Sequence, residues 1–351
     1  MPKRDIIVIG GSSGSAEVLK TIVRALPEDL SASVFIATHQ PAHVPSYLAQ
    51  VLAKVSRLPV ERAVDGAPVE TGRIYVAVPD RHLLLFDGEL RLGPGPRENM
   101  VRPAVDALFR SAALTYGART VGVQLTGHLN DGAAGLLAIQ QAGGLAVVQD
   151  PLDADAPDMP RAAIDLLDPD HVASGEAIGP LLAILSRTQA PASEPPPPSL
   201  KMEVEIAAGC RLGSERLREF ADPVALTCPD CQGVLSEVRG ARPRRYRCQT
   251  GHGVTARVLE SEQGLQVEAA LRLAMRVVEE RIELVSRLAE DARGTGRNSV
   301  AELYRHRAAE YRSYGEILRR AVLAMMPRPG AVPEANDDGM QADEDGEEKL
   351  G

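Results

Sequence analysis

The chain has 351 residues, a formal charge of −9 and four cysteines, enough length for two domains and a sizeable core. No apolar run approaches membrane-spanning length, Met1-Pro2-Lys3-Arg4 leads into a strand with no cleavage site of small residues, and the cysteines do not form a secreted disulfide framework. The expectation is a cytoplasmic protein without membrane insertion. Between Glu334 and Gly351 eight acids face one base, Lys349. A disordered acidic tail over 329–351 therefore carries most of the charge, and the nearly neutral remainder gives no case for nucleic acid.

The chain is organised around its first stretch. Ile6-Ile7-Val8-Ile9 is a β-branched run of the kind buried on both faces of a parallel sheet. Gly10-Gly11-Ser12-Ser13-Gly14 comes next, then helical apolar spacing from Ala16 to Val23. This strand, turn and helix fits G-x-S-x-G, which places a serine on a strained turn at a helix N-terminus. A dinucleotide fingerprint needs glycines at offsets of two and five, and these fall at 10, 11 and 14. Taken alone, the pattern is as well explained by a plain Gly/Ser-rich turn.

Helical spacing near 15–26 is followed by a strand from Ala32 to Thr38 and a helix near 45–56. Arg73–Val78 and His82–Phe86 read as a hairpin, with Asp87-Gly88 as turn signal. A helix at 102–116, a strand from Thr120 to Leu125, a helix at 132–142 and a strand from Leu145 to Gln149 complete the alternation. The pattern predicts an α/β domain over 1–188, a doubly wound, mostly parallel sheet with its site at the strand C-terminal ends. Three strands end in reactive residues: Ser12, His39, and Asp131 within Thr126-Gly127-His128-Leu129-Asn130-Asp131-Gly132. Serine, histidine and aspartate on one sheet edge are what a nucleophile, a base and an orienting acid require. Singly, His39 reads as a loop histidine and Asp131 as a turn residue; their coincidence favours chemistry. His43 and His82 read as solvated residues.

Ile9–Gly14, Thr38-His39-Gln40-Pro41, Arg102–Phe109, Leu125–Gly135 and Met159-Pro160-Arg161-Ala162-Ala163 stand in the order seen in CheB-type chemotaxis methylesterases. Residues 5–187 resemble that family, which hydrolyses glutamate methyl esters on chemoreceptor helices. The resemblance implies Ser12 as nucleophile, His39 as general base and Asp131 as its partner. It further implies Ser13 as a neighbour positioning His39, and a backbone oxyanion donor at His128, where the family usually has methionine. No cofactor enters that chemistry. Leu129 and Ser15 replace frequent glycines. Response-regulator members carry an N-terminal receiver domain; here the catalytic strand begins at residue 5, so control is expected from elsewhere.

A Pro-rich stretch over 189–200 predicts a stiff linker. Beyond it, over 201–260, Cys228-Pro229-Asp230-Cys231 and Cys248-Gln249-Thr250-Gly251-His252 supply two ligand pairs sixteen residues apart. Three thiolates and an imidazole suit a structural, tetrahedral zinc in a ribbon. Cys210 reads as a small buried hydrophobe. Arg239, Arg242, Arg244, Arg245 and Arg247 between the pairs read as a solvated loop or a patch for an acidic protein partner. Over 261–328, helical spacing at 265–292 and 299–325 flanks Gly294-Thr295-Gly296, predicting a helical hairpin. It is read as a pair packing on the ribbon, a docking surface for receptors, or a homo-oligomer interface.

The reading that joins these features is a protein-glutamate methylesterase acting on a methylated chemoreceptor or similar helical signalling protein, with glutamine deamidation as a side activity. A serine esterase for other esters and a non-catalytic signalling adaptor are the alternatives.

Overall fold

Alternate residues of the first strand point to opposite sides of one sheet, and both sides are dry. The structure is a computed structural model, and it describes residues 2–325; the acidic tail lies outside the described residues. Strand β1 (Ile6–Gly11) is buried throughout. Its Ile6 and Val8 join a core with Phe35, Leu108, Phe109 and Leu136, while Ile7 and Ile9 join Leu19, Ile22, Val34 and Ile36 on the other face. That alternation is the period-two geometry of a strand.

Chain order runs β1, α1 (Ser15–Ala25), β2 (Ser33–Thr38), α2 (Leu48–Ala53), β3 (Val60–Arg62) and β4 (Ile74–Val76). Next come β5 (His82–Phe86), β6 (Glu89–Gly93), α3 (Val105–Tyr116), β7 (Thr120–Gln124), α4 (Ala133–Gln141) and β8 (Leu145–Gln149). The layer ends with α5 (Asp158–Leu166), β9 (His171–Ala173) and α6 (Gly175–Leu185). Seven strands form a parallel sheet in the order β3-β4-β2-β1-β7-β8-β9, the doubly wound α/β plan expected from the alternation. The order reverses direction at β1, which places a ligand crevice at its C-terminal end.

The hairpin differs from the expectation. His82–Phe86 pairs with Glu89–Gly93 across Asp87-Gly88, while residues 74–76 belong to the parallel sheet. Both turn residues have positive φ, 42° and 86°, which suits the twist of a two-residue hairpin. His82 is buried, not solvated: its Nε2–H donates to Pro96 O at 2.9 Å and its Nδ1 accepts from Ala104 N at 3.2 Å.

The Pro-rich stretch is held against the sheet domain. Ala190 N donates to Pro2 O, and Ser193 Oγ accepts from Ala118 N. Its end opens helix α7 (Pro198–Ala207), with proline at the N-terminus where its missing N–H is harmless. Helix α8 (Gly213–Phe220) leads into a four-stranded antiparallel sheet of β10 (Ala221–Thr227), β11 (Val234–Val238), β12 (Arg245–Cys248) and β13 (Gly253–Thr255). Residues Met1–Gln263 form one compact unit and the chain divides at Gly264, whereas the sequence placed the first boundary at 189–200. Cys210 is exposed, a correction to its reading as a buried hydrophobe.

Buried charges knit the first unit together. Glu98 pairs with Arg110 of α3 and with Arg247 of β12, the latter at 2.9 Å. Glu203 of α7 lies 3.2 Å from Arg245 and 3.3 Å from Arg247. Glu98, Arg110, Glu203 and Arg247 are all buried. The basic stretch is split: Arg245 and Arg247 turn inward, while Arg239, Arg242 and Arg244 stay on the solvated side, Arg239 pairing with Asp222 and Arg244 with Glu237. Burial alone would raise the Glu98 carboxyl, but the guanidinium groups of Arg110 and Arg247 outweigh it and hold the group well below its usual range.

The second unit contains most of α9 (Ala256–Gly294) and α10 (Asn298–Met325). Arg281 Nη2 donates to Tyr311 Oη at 2.7 Å, and its guanidinium sits 4.4 Å from the centre of that ring. Gly315 lies against Val278. This pairing runs antiparallel, as a helical hairpin turning at Thr295–Arg297.

Candidate active site

Ser12 and His39 leave the sheet side by side, because Gly11 of β1 is in register with Thr38 of β2, and neighbouring strands lie about 4.8 Å apart. On the other flank, Ser12 N donates to Thr126 O and Leu125 N to Gly10 O, each at 2.8 Å. The Ser12 turn needs Gly14, whose φ of 77° starts α1 from the left-handed region. Ser15 Oγ closes the turn on Ser12 O at 2.6 Å. Helix α1 then directs its positive end toward the serine.

Gly127 sits under Ser12. A Cβ there would come within 2.8 Å of Ser12 Cβ and 2.0 Å of Met159 Sδ, so only glycine allows this approach. Its N–H donates to Ala156 O and its carbonyl accepts from Met159 N, both at 2.9 Å. Among the described residues the backbone N–H groups of Ser13, in the serine turn, and of His128, next to Gly127, have no acceptor. The His128 side chain itself is 70% exposed and faces Asp158 at 3.5 Å. The Ser13 side chain is exposed and makes no hydrogen bond to His39 among the described residues.

His39 is held instead by Asp131: Nε2 lies 2.8 Å from Asp131 Oδ2. The aspartate is buried and accepts three further hydrogen bonds, from Val105 N at 2.6 Å, Asn99 Nδ2 at 2.9 Å and Asp106 N at 3.3 Å. Two of these come from the N-terminus of α3, where the helix favours negative charge. Burial works against the Asp131 carboxylate, but the hydrogen bonds from His39, Asn99 and Val105 prevail and keep it ionised. Its neighbour Asp106 is pushed upward, first by burial and then by the charge of Asp131.

Asn99 and Asp106 were not singled out as site residues in the sequence. Asn99 lies in a left-handed turn at φ 51°, followed by Met100 at 67°; asparagine tolerates this conformation, which was the only local signal available. Leu129, in the loop carrying Asp131, has φ 64°. A leucine there costs about 1–2 kcal/mol, which accounts physically for glycine as the easier choice. A cavity of about 410 Å³ opens beside His39, lined by Gln40, Pro41, Asp80, Arg97, Met100 and Arg102.

In the C-terminal sheet, the donor atoms of Cys228, Cys231, Cys248 and His252 lie within 4.8 Å of one another. The pairs come from the β10–β11 and β12–β13 turns. Cys231 Sγ is 3.6 Å from Cys248 Sγ, which is 3.5 Å from His252 Nδ1. Such spacings suit one tetrahedral ion with metal–sulfur distances of about 2.3 Å. The other imidazole nitrogen, His252 Nε2, faces Asp230 at 3.4 Å, the carboxylate support usual behind a ligating histidine.

Residues 7–182 match the CheB methylesterase family. A Leptospira interrogans relative is 38% identical over 184 residues, covering 52% of this chain and 95% of that one. An Anaeromyxobacter dehalogenans protein-glutamate methylesterase/protein-glutamine glutaminase is 39% identical over 183 residues, 52% of this chain and 54% of its own. The crystal structure of the Thermotoga maritima CheB methylesterase catalytic domain superposes with a TM-score of 0.50 at 32% identity, covering 52% of this chain and 98% of that one. No helix among the described residues is long and apolar enough to cross a membrane.

Proposed function

The chain belongs to the CheB methylesterase family, and from that premise we propose that it hydrolyses glutamate γ-methyl esters on a methylated chemoreceptor or similar helical signalling protein. The observation that carries this reading is the His39–Asp131 hydrogen bond at 2.8 Å beside the Ser12 turn. With Nε2 committed to Asp131, Nδ1 is the nitrogen that takes the Ser12 proton as the hydroxyl attacks the ester carbonyl. The N–H groups of Ser13 and His128 and the start of α1 receive the developing oxyanion. His39 returns its proton to the departing methoxide, releasing methanol, and then activates water to resolve the acyl-enzyme. Glutamine amides pass through the same tetrahedral geometry, so deamidation is the accompanying activity.

The metal is separate from this chemistry. Cys228, Cys231, Cys248 and His252 would hold a zinc ion that fastens the two turns of a zinc ribbon; all four being protein ligands, no position is open for substrate. Residues 1–188 carry the catalytic chemistry, 201–260 the ribbon and 261–328, of which residues up to 325 are described, the helical segment, whose exposed Leu273, Leu284 and Ile317 suit a receptor or a second copy of the chain. A thiolate zinc site rather than disulfides is the cysteine usage expected of a cytoplasmic setting.

The test is methanol release from a methylated chemoreceptor cytoplasmic domain, with Ser12→Ala as control. Serine-dependent release supports the reading. Cleavage of a generic ester without methanol release from the receptor transfers it to a small-molecule esterase, and no cleavage at all to an adaptor.

A further inference from the structure

Asp131 is held by more than its own domain. Asn99 spans two carboxylates with one amide nitrogen, reaching Asp131 Oδ1 at 2.9 Å and Asp106 Oδ2 at 3.1 Å. Its carbonyl oxygen is taken by Thr255 N at 3.1 Å, and its backbone N–H by Gly253 O at 2.8 Å. Both partners lie on β13, the last strand of the C-terminal sheet. From the same strand, Thr255 Oγ1 donates to Asn130 Oδ1 at 2.8 Å, beside the aspartate.

Packing follows the hydrogen bonds. Met100 and Leu129, from the two loops that flank Asp131, pack against the core formed by Leu235, Tyr246, Val254 and Val258. Asn99, Met100 and Leu129 all have positive φ, a conformation that persists only where surroundings impose it. The C-terminal sheet supplies those surroundings.

We propose that Asn99 is a positioning residue for the triad aspartate and that strand β13, through Thr255 and Gly253, sets it in place. The C-terminal sheet is then part of the active site's construction rather than an appendage. Asn99 acts through Asp131 and touches no reacting atom. The inference rests on the assignment of Ser12, His39 and Asp131 proposed above.

The experiment uses the full chain with Asn99→Ala, Thr255→Val and Ser12→Ala, each confirmed as folded by circular dichroism. Ester hydrolysis is followed together with the low-field proton resonance of the His39–Asp131 hydrogen bond. Displacing the aspartate lowers kcat about 10–100-fold with KM within about twofold, and shifts or broadens the resonance in both Asn99→Ala and Thr255→Val. Unchanged kcat and resonance in the folded variants overturns the inference. So does a loss of activity that leaves the resonance untouched. Should Asn99→Ala not fold, Thr255→Val, which removes one hydroxyl, decides. Activity surviving in Ser12→Ala refutes the triad assignment itself; an inactive Ser12→Ala beside a fully active Asn99→Ala refutes only the positioning role.

Discussion

Replacing Asp131 by asparagine tests the charge at the centre of the site with almost no change of shape. The carboxylate accepts four hydrogen bonds, from His39, Val105, Asn99 and Asp106, and donates none. An amide in its place must set its NH₂ against one pair of these donors, whichever way it turns. A charge-assisted hydrogen bond is worth about 1.5–3 kcal/mol, and a buried donor without an acceptor costs about 1–3 kcal/mol. Together these place roughly 4 kcal/mol on a step that needs a positive imidazole, close to a thousandfold fall in kcat. KM should hold within a few-fold, since Asp131 is buried and out of reach of substrate. The assay is methanol release under saturating methylated receptor domain, with the melting temperature recorded alongside. A kcat within tenfold of the wild type would refute the assignment of Asp131.

Three further outcomes follow from the geometry. Gly127→Ala forces a methyl into Ser12 Cβ and Met159 Sδ, so kcat should drop about a hundredfold while the fold survives; kinetics and a melt on one sample check it. Cys248→Ser removes the donor between Cys231 and His252, and metal analysis of the purified protein should show zinc content falling from near one per chain toward none. Glu98 has a folded-state pKa depressed below its unfolded value, so its contribution is complete above about pH 4.3 and is lost as pH falls through the folded value. Glu98→Gln should therefore destabilise at neutral pH, leaving Arg110 and Arg247 short of a counter-charge, by about 3–5 kcal/mol. In unfolding titrations it should also flatten the acid limb of the stability curve.

What could be read beforehand depends on the range of the forces involved. Strand β1 declares itself because four β-branched residues in a row fit only a strand buried on both faces, and Ser12, His39 and Asp131 because strand ends in such sheets converge. Long helices were legible from their apolar spacing. The hairpin was mispaired because Glu89–Gly93 was not read as a strand, which left Arg73–Val78 as the partner of His82–Phe86, although Asp87-Gly88 marks the true turn. His82 looked solvated by type alone, yet two backbone groups satisfy both of its nitrogens in the interior. Asn99 and the inward-facing Arg245 and Arg247 depend on residues more than 40 positions away, which no periodicity reports.

The contacts that complete the site also impose an order on its birth. Arg247 reaches Glu98 across 149 residues, Thr255 reaches Asn99 across 156, and Asn130 is met across 125. As the chain emerges from the ribosome, Ser12, His39 and Asp131 are all available long before these late partners exist. A nascent chain ending near residue 200 holds Glu98 beside a single arginine and leaves Asn99 without its strand. The loop-closure entropy of such separations must be met before these contacts form. The Glu98 and Asn99 networks are thus completed only once residues 247–255 have been made.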